Sequence, residues 1–266
     1  PTIVLVPGAF HQPTIYDKVS ENLRQAGYRR INAIPLPSVG NVLTSRQPDI
    51  DAVRSVVGKE LRLGNDVVLV GHSYGGTVIG EVASGLQQNS NHRLNLPAAP
   101  QAHPRDPDHV GQVLGLVYLA GYIPLISEVE HRETRPDIRN IAPSWFRFDD
   151  KAGKVYWDGD LKNFPPEQTF YNDLPAEQAK FWASKLQFSS YAALNASATY
   201  IPYTGDFNCT YVLGLRDQSL PSQWAQAFID QPGAKFRVEK LDASHSAMLS
   251  KPKAVASIIR KAAGEK

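Results

Sequence analysis

The sequence predicts an α/β fold, in which helices cover both faces of a mostly parallel sheet and a cap (lid) domain is inserted between two strands. Short apolar runs alternate with amphipathic helical segments over the first 123 residues, which is typical of right-handed crossovers in a parallel sheet. The alternation stops at residue 124 and resumes at residue 209. We therefore predict a core domain formed by residues 1–123 and 209–266, with a cap domain at 124–208.

The spacing of apolar residues predicts each core element. The unbroken apolar run 67–70 predicts a buried strand, whereas 221–230 is expected to be a helix with Trp224, Phe228 and Ile229 on its buried side. The predicted strands are residues 2–6, 30–36, 67–70, 113–122, 210–215 and 236–241, and the predicted helices are 13–26, 49–63, 77–86, 221–230 and 251–263.

The inserted segment is rich in large aromatic residues. Two short aromatic strands predict a hairpin at 145–157, and helical spacing predicts a helix at 175–186. From this segment, Trp145, Tyr171 and Trp182 are candidates for lining a substrate pocket, and burial in the cap core is an equally good alternative for each.

The segment 89–111 interrupts the core pattern with several prolines and polar residues. It contains three histidines and two aspartates that could be mistaken for metal ligands, namely His92, His103, Asp106, Asp108 and His109. Neither helical nor strand spacing brings these side chains together, so the pattern favours a solvated loop over a metal site.

The composition excludes several classes of protein. A formal net charge of +2 gives no basic field for nucleic acid or an anionic membrane, and no apolar stretch reaches the roughly 18 residues that span a bilayer. Cys209 is the only cysteine, which suits a reducing compartment. The first residues show no signal-peptide pattern. We therefore expect a cytoplasmic protein that binds neither nucleic acid nor membrane.

The main chemical signal is the stretch Gly71-His72-Ser73-Tyr74-Gly75. A bare Gly-x-Ser-x-Gly pattern arises by chance in about one chain of this length in ten. Here, however, it follows a predicted buried strand and leads directly into a predicted helix, which is the context that exposes a nucleophilic serine above a sheet. Side chains at either glycine would collide with the neighbouring strand or helix. We therefore predict Ser73 as a nucleophile.

A serine nucleophile needs a base and a carboxylate that orients the base. His245 follows the last predicted strand and Asp217 follows the one before it, so both are expected at the same sheet edge as Ser73. Their order along the chain, Ser-Asp-His, differs from that of the two well-known serine protease folds. Glu128 and Glu130 are alternatives for the acid, although both lie at the start of the predicted cap.

The oxyanion that forms during acyl transfer requires hydrogen-bond donors. The backbone amides of Tyr74, which follows the nucleophile, and of Ala9, in the loop after the first strand, are predicted to donate. The amide of Phe10 is the neighbouring alternative. Gly8 would let a substrate approach this loop, and we therefore include Gly8 and Phe10 among the candidate substrate-binding residues.

Four stretches together resemble the α/β-hydrolase superfamily, and more narrowly its plant methyl-esterase and hydroxynitrile-lyase group with microbial relatives. They are residues 6–11 (VPGAFH), 71–76 (GHSYGG), 215–217 (LRD) and 244–249 (SHSAML). The resemblance implies an α/β-hydrolase fold, a triad of Ser73, His245 and Asp217, an oxyanion hole at Ala9 and Tyr74, and no cofactor. Hydroxynitrile lyases of this group carry a lysine after the catalytic histidine and a threonine in the first loop, where this chain has Ser246 and Gly8. That difference favours hydrolysis over cyanide release.

The expected function is a serine hydrolase that cleaves an ester, lactone or thioester of a small, largely apolar molecule through an acyl-enzyme on Ser73. Carbon–carbon bond hydrolysis or lyase chemistry on the same triad is an alternative. A small-molecule receptor with little turnover is another, because fold alone does not determine function. The expected partner is a small-molecule substrate, and the chain is a possible homodimer.

Overall fold

The computed structural model describes residues 1–87 and 110–265 of the chain. The strands in these ranges are β1 (Thr2–Val6), β2 (Ile31–Ala33), β3 (Val67–His72), β4 (Val113–Leu119), β5 (Arg147–Asp149), β6 (Lys154–Tyr156), β7 (Ser189–Ser190), β8 (Cys209–Gly214) and β9 (Arg237–Leu241). The α-helices are α1 (Asp17–Gln25), α2 (Gln47–Arg62), α3 (Tyr74–Val82), α4 (Ile126–Glu130), α5 (Ile138–Ile141), α6 (Pro166–Thr169), α7 (Ala176–Ala183), α8 (Tyr191–Asn195), α9 (Ser222–Asp230), α10 (Ala247–Ser250) and α11 (Pro252–Ala262). Short 3-10 helices cover Pro13–Tyr16 and Arg132–Thr134.

The core is a parallel sheet with the strand order β2-β1-β3-β4-β8-β9. Every residue of β1 and β3 is buried, because both faces of a parallel sheet are covered by crossover helices. Helices α1 and α11 pack together, as do α2 and α3, and α2, α3 and α11 also contact the strands. The predicted α/β-hydrolase fold with its parallel sheet is confirmed.

Several element bounds differ from the predicted ones. Helix α3 begins directly after Ser73 rather than at Thr77, because the nucleophile turn leads into the helix without a linker. Trp224 was expected on the buried side of α9, but its side chain is 39% exposed. Ala225 and Phe228 are the buried residues of that helix, so the face it presents to the core is rotated from the predicted one.

The inserted segment, residues 124–208, connects β4 to β8 along the chain. Within it, β5 and β6 form the antiparallel hairpin expected at 145–157, and β7 extends it to a second small sheet with the order β5-β6-β7. The segment is joined to the core by the amide of Gly40, which donates to the carbonyl of Phe188 at 2.8 Å. The exact domain boundaries at 124 and 208 stay a prediction.

Most of the predicted solvated loop, with His92, His103, Asp106, Asp108 and His109, lies outside the described residues. In the part of the chain that is described, no group of three or more His, Cys, Asp or Glu residues is arranged to hold a metal ion. No helix in that part is long and apolar enough to cross a membrane. Cys209 is buried as a free thiol, and burial raises its pKa to about 12.

Candidate active site

Ser73 occupies the turn between β3 and α3 in a backbone conformation that non-glycine residues rarely adopt, with φ at 49° and ψ at −122°. The surrounding backbone holds this conformation: the Ser73 amide donates to Leu119 at 3.1 Å, and its carbonyl accepts from Tyr122 at 2.9 Å. Strained residues of this kind concentrate at functional sites. Ser73 is therefore presented above the sheet edge in the way that the sequence predicts.

The two glycines of the motif are sterically required. A Cβ atom at Gly75 would lie 2.5 Å from the carbonyl oxygen of Pro7 and 2.6 Å from that of Val6, and one at Gly71 would collide with the carbonyl of Gly75. These contacts bring the nucleophile turn against the loop that follows β1. The close approach extends to Gly8, where a Cβ atom would lie 2.9 Å from the Cβ atom of Ser73.

His245 and Asp217 form a buried pair. Nδ1 of His245 donates to Oδ2 of Asp217 at 2.8 Å, and the two side chains are only 2% and 3% exposed. Oδ1 of Asp217 accepts hydrogen bonds from the amides of Ser219 and Leu220, each at 2.9 Å. Because the ionised carboxylate only accepts, the proton lies on Nδ1 and the Nε2 atom of His245 is left as an acceptor.

The alternative acids are placed elsewhere. Glu128 accepts a hydrogen bond from the amide of Leu125 at 3.2 Å, at the start of α4, and Glu130 is the last residue of the same helix. A glutamate in this position satisfies an otherwise free helix amide. Asp217 is thus the carboxylate that the structure brings to His245.

Ser73 and His245 line the same cavity, whose wall is predominantly apolar, as in most small-molecule sites. In the described residues, no hydrogen bond within 3.5 Å joins their side chains, and such catalytic contacts often tighten only when substrate binds. Ala9, Phe10, Tyr74 and Trp145 also line this cavity. Most of the residues predicted for the site therefore line this cavity.

Gly8, Tyr171 and Trp182 are not among the residues that line the cavity. Gly8 lies behind the wall, where its lack of a side chain allows the loop to contact Ser73. Tyr171 is buried and its hydroxyl donates to Nε2 of His11 at 2.9 Å. Trp182 lies on α7 and packs edge-to-face with Phe181. Tyr171 is therefore buried rather than lining, whereas Trp182 neither lines the cavity nor is fully buried.

The backbone amides of Ala9 and Tyr74 have no acceptor among the described residues, and both residues border the cavity. The amide of Phe10, by contrast, donates to Oγ of Ser189 at 2.9 Å. A donor that is already bonded to the protein is not available to a substrate oxygen. The geometry therefore favours Ala9 over Phe10 as the partner of Tyr74 in an oxyanion hole.

Two further histidines lie near His245: the His72 ring lies 4.6 Å from that of His245, and the His11 ring lies 5.3 Å from that of His72. Burial lowers the pKa of His11 to about 4, partly offset by its hydrogen bond to the Ala9 carbonyl, and burial likewise holds the pKa of His72 well below its usual value. Nδ1 of His11 donates to the Ala9 carbonyl at 2.7 Å, and its Nε2 accepts from Tyr171. Since both nitrogens of His11 are engaged, His245 is the better placed base.

Sequence reasoning missed much of the apolar wall. The unassigned lining residues from the inserted segment are Ile138, Ile141, Ala142, Pro143, Phe146, Phe170 and Leu194. Phe146 and Phe170 belong to the aromatic cluster of this segment, but the residues near 140 carry no periodicity that distinguishes a lining side chain from a packed one. From the core, Tyr122, Leu220 and Trp224 also line the cavity.

The sequence profile of the Alpha/beta hydrolase family matches residues 3–258, and the chain belongs to this family. It is 26% identical over 269 residues to the "Alpha/beta hydrolase nvfD" of Aspergillus novofumigatus (strain IBT 16806), covering 100% of this chain and 97% of that protein.

Solved structures show the same fold. A pyrethroid hydrolase from Sphingobium faniae JZ-2 superposes with a TM-score of 0.67 at 21% identity, over 99% of this chain and 97% of that one. The methylesterase MES16 from Arabidopsis superposes with a TM-score of 0.68 at 17% identity, over 99% and 98% of the two chains. The predicted resemblance to methyl-esterases is confirmed at the level of the fold, and the chain is a hydrolase of the α/β type.

Proposed function

We propose that this protein is a serine hydrolase that cleaves a carboxylic ester of a small, largely apolar molecule through an acyl-enzyme on Ser73. The observation that carries the proposal is the meeting of three features at one cavity. These features are a serine in a strained turn, a buried His245–Asp217 hydrogen bond of 2.8 Å, and two backbone amides with no acceptor in residues 1–87 and 110–265. Nucleophile, base and oxyanion donors in one apolar site are the requirements of acyl transfer.

In this mechanism, Oγ of Ser73 attacks the ester carbonyl carbon while Nε2 of His245 takes the hydroxyl proton. Asp217 holds the imidazole in the tautomer that leaves Nε2 free and stabilises the imidazolium. The amides of Ala9 and Tyr74 donate to the oxyanion. The intermediate collapses as His245 returns the proton to the departing alcohol, and a water activated by the same Nε2 then hydrolyses the acyl-enzyme.

The substrate class follows from the cavity wall. The side chains that line it in the described part of the chain include no aspartate, glutamate, lysine or arginine. A neutral, apolar substrate loses little on entering such a site, whereas a charged one would lose its hydration without gaining a partner. The proteins that share this fold include one named a pyrethroid hydrolase and one named a methylesterase, which is consistent with an ester substrate.

Lactones and thioesters pass through the same acyl-enzyme and remain candidate substrates of the same site. Carbon–carbon bond hydrolysis or lyase chemistry is the main alternative reaction. Ser246 follows His245 where cyanide-releasing relatives carry a lysine, so the site offers no cation at that position for a departing anion. Product analysis on matched ester and β-dicarbonyl substrates separates the two reactions.

No cofactor enters the proposed mechanism, and a cytoplasmic location and a homodimer stay predictions.

A fluorophosphonate probe tests the proposal. We expect it to label the protein at Ser73 and to block hydrolysis of p-nitrophenyl butyrate, with both signals lost in Ser73→Ala. Ser219→Ala is the matched control, because Ser219 also lines the cavity but lacks the strained turn, and it should still be labelled. A Ser73→Ala protein that hydrolyses the ester at the wild-type rate would overturn the proposal. Stoichiometric ligand binding without turnover would favour the receptor alternative instead.

A further inference from the structure

A four-residue turn of the inserted segment contacts three of the loops that carry the proposed catalytic groups. The turn consists of Phe170, Tyr171, Asn172 and Asp173 and directly follows α6. The loops are the first-strand loop (residues 7–11, with Ala9), the acid loop (residues 215–220, with Asp217) and the base loop (residues 242–246, with His245). Each of the three polar side chains in the turn makes a hydrogen bond to a different loop.

Tyr171 reaches the first-strand loop. Its hydroxyl donates to Nε2 of His11 at 2.9 Å, and Nδ1 of His11 in turn donates to the carbonyl of Ala9 at 2.7 Å. Tyr171 is 1% exposed and His11 is 4% exposed, so water cannot readily replace either bond. Because the Ala9 carbonyl only accepts, the proton of His11 lies on Nδ1, and the Tyr171 hydroxyl donates to the Nε2 atom that is left as an acceptor. In this way Tyr171 holds the peptide next to the amide proposed for the oxyanion hole.

Asn172 reaches the acid loop. Its side-chain amide donates to the backbone carbonyl of Arg216 at 2.9 Å. Arg216 directly precedes Asp217, and its own amide donates to the carbonyl of Ala243 at 3.0 Å. The bond from Asn172 therefore acts on the peptide that joins Arg216 to Asp217, close to the carboxylate that orients His245.

Asp173 and Phe170 reach the base loop through one residue. Oδ2 of Asp173 accepts from the amide of Ser244 at 2.9 Å, and the hydroxyl of Ser244 donates to the carbonyl of Phe170 at 3.2 Å. Ser244 is 1% exposed and directly precedes His245. The ring of Phe170 also lies 5.9 Å from that of His245. Two hydrogen bonds and a ring contact thus converge next to the base.

We propose that Tyr171, Asn172 and Asp173 are positioning residues that hold the oxyanion donor, the acid and the base in register with one another. The inference rests on the proposed serine hydrolase function, because it assigns the turn a part in that reaction. The three loops follow different strands of the core, and the turn contacts them all within four consecutive residues. Small misplacements of catalytic groups are costly, with displacements near 1 Å lowering rates by about 100-fold.

Single substitutions in the turn test this inference, with kcat measured per active site titrated by the fluorophosphonate. Tyr171→Phe, Asn172→Ala and Asp173→Ala should each lower kcat by about 10- to 100-fold while KM changes little, because none of these side chains lines the cavity. Tyr191→Phe is the matched control: it removes a tyrosine hydroxyl bonded to Asp137 inside the inserted segment, and kcat should stay at the wild-type value.

A reciprocal pair separates positioning from general support of the fold. Asp173→Asn keeps an acceptor for the Ser244 amide and should recover kcat to within about threefold of wild type. Asn172→Asp replaces a donor with an acceptor facing the Arg216 carbonyl and should lose at least as much as Asn172→Ala. If Asp173→Ala fails to fold, Tyr171→Phe, which deletes a single oxygen atom, still decides the question for the first-strand loop.

The outcomes distinguish the two proposals. A wild-type protein that is neither labelled at Ser73 nor active on esters overturns the serine hydrolase function. An active wild type whose folded Tyr171→Phe and Asn172→Asp variants keep the wild-type kcat overturns the positioning role alone. An Asp173→Asn variant as impaired as Asp173→Ala also contradicts it, because acceptor geometry would then not be what matters.

Discussion

At the scale of single residues, both carboxylate oxygens of Asp217 accept hydrogen bonds. One oxygen accepts from Nδ1 of His245 and the other from the amides of Ser219 and Leu220. These donors hold the carboxylate in a site where its side chain is only 3% exposed. The carboxylate is therefore fixed in orientation before any substrate binds.

Replacing Asp217 with Asn should lower kcat by about 10³- to 10⁴-fold, because an amide nitrogen facing Nδ1 favours the tautomer with its proton on Nε2. The measurement is ester hydrolysis at saturating substrate. Glu128→Gln is the control, since Glu128 only caps α4, and it should keep the wild-type kcat. Comparable losses in the two variants would contradict the assignment of Asp217 as the acid.

At the scale of elements, β3, the Ser73 turn and α3 form one unit with little steric tolerance. Two glycines of this unit lie in different surroundings. A Cβ atom at Gly75 would meet two backbone carbonyl oxygens within 2.6 Å, whereas one at Gly80 would meet only the Pro202 side chain at an ordinary 3.5 Å. Both residues are buried within α3. Alanine substitutions at Gly75 and Gly80 therefore distinguish the steric requirement of the turn from the low helix propensity of glycine.

Gly75→Ala should lower the free energy of unfolding by about 1–3 kcal/mol, and hydrolysis should fall with it because the Ser73 turn shifts. Gly80→Ala should instead raise the free energy of unfolding by about 0.5–1 kcal/mol, as alanine favours a helix interior. Urea unfolding of both variants measures the difference. Equal effects of the two substitutions would show that the close approach of the turn to Pro7 is not limiting.

At the scale of the whole molecule, the cavity lies between the core and the inserted segment. The core supplies Ser73, His245 and the first-strand loop, and the inserted segment supplies most of the apolar wall. The same segment is bonded to the core beside the site through Ser189 and through the 170–173 turn. Specificity and catalytic geometry are thus both tied to how this segment docks.

The uncharged wall leads to a prediction on substrate charge. We expect a neutral p-nitrophenyl butyrate to be hydrolysed with a kcat/KM about 100-fold or more above that of the p-nitrophenyl hemisuccinate, because a buried carboxylate without a partner costs several kcal/mol. Steady-state kinetics on this pair, which share a leaving group, tests it. A preference for the anionic ester would point to a cation near the site and against the proposed substrate class.

The pH dependence of the free energy of unfolding should depend on His11. Burial lowers its pKa to about 4 from 6.5, so below pH 6.5 the unfolded chain binds the proton more readily and the folded state loses stability as the pH falls. Between pH 7.5 and pH 5 the wild type should lose about 2 kcal/mol more of its unfolding free energy than His11→Gln. Urea unfolding at the two pH values measures this, and parallel losses in both proteins would contradict it.

The sequence by itself determined the parallel sheet and the positions of Ser73, Asp217 and His245 directly after its strands, because the periodicity of apolar residues is a local property of the chain. Tertiary structure alone decided which amide near Ala9 is free, since Ser189 occupies that of Phe10 from far along the chain. It likewise decided which aromatic residues line the cavity: Trp145 does, whereas Tyr171 bonds His11 and Trp182 packs on α7. An apolar side chain gains equally from a packed core and from a cavity wall, so no local pattern distinguishes the two.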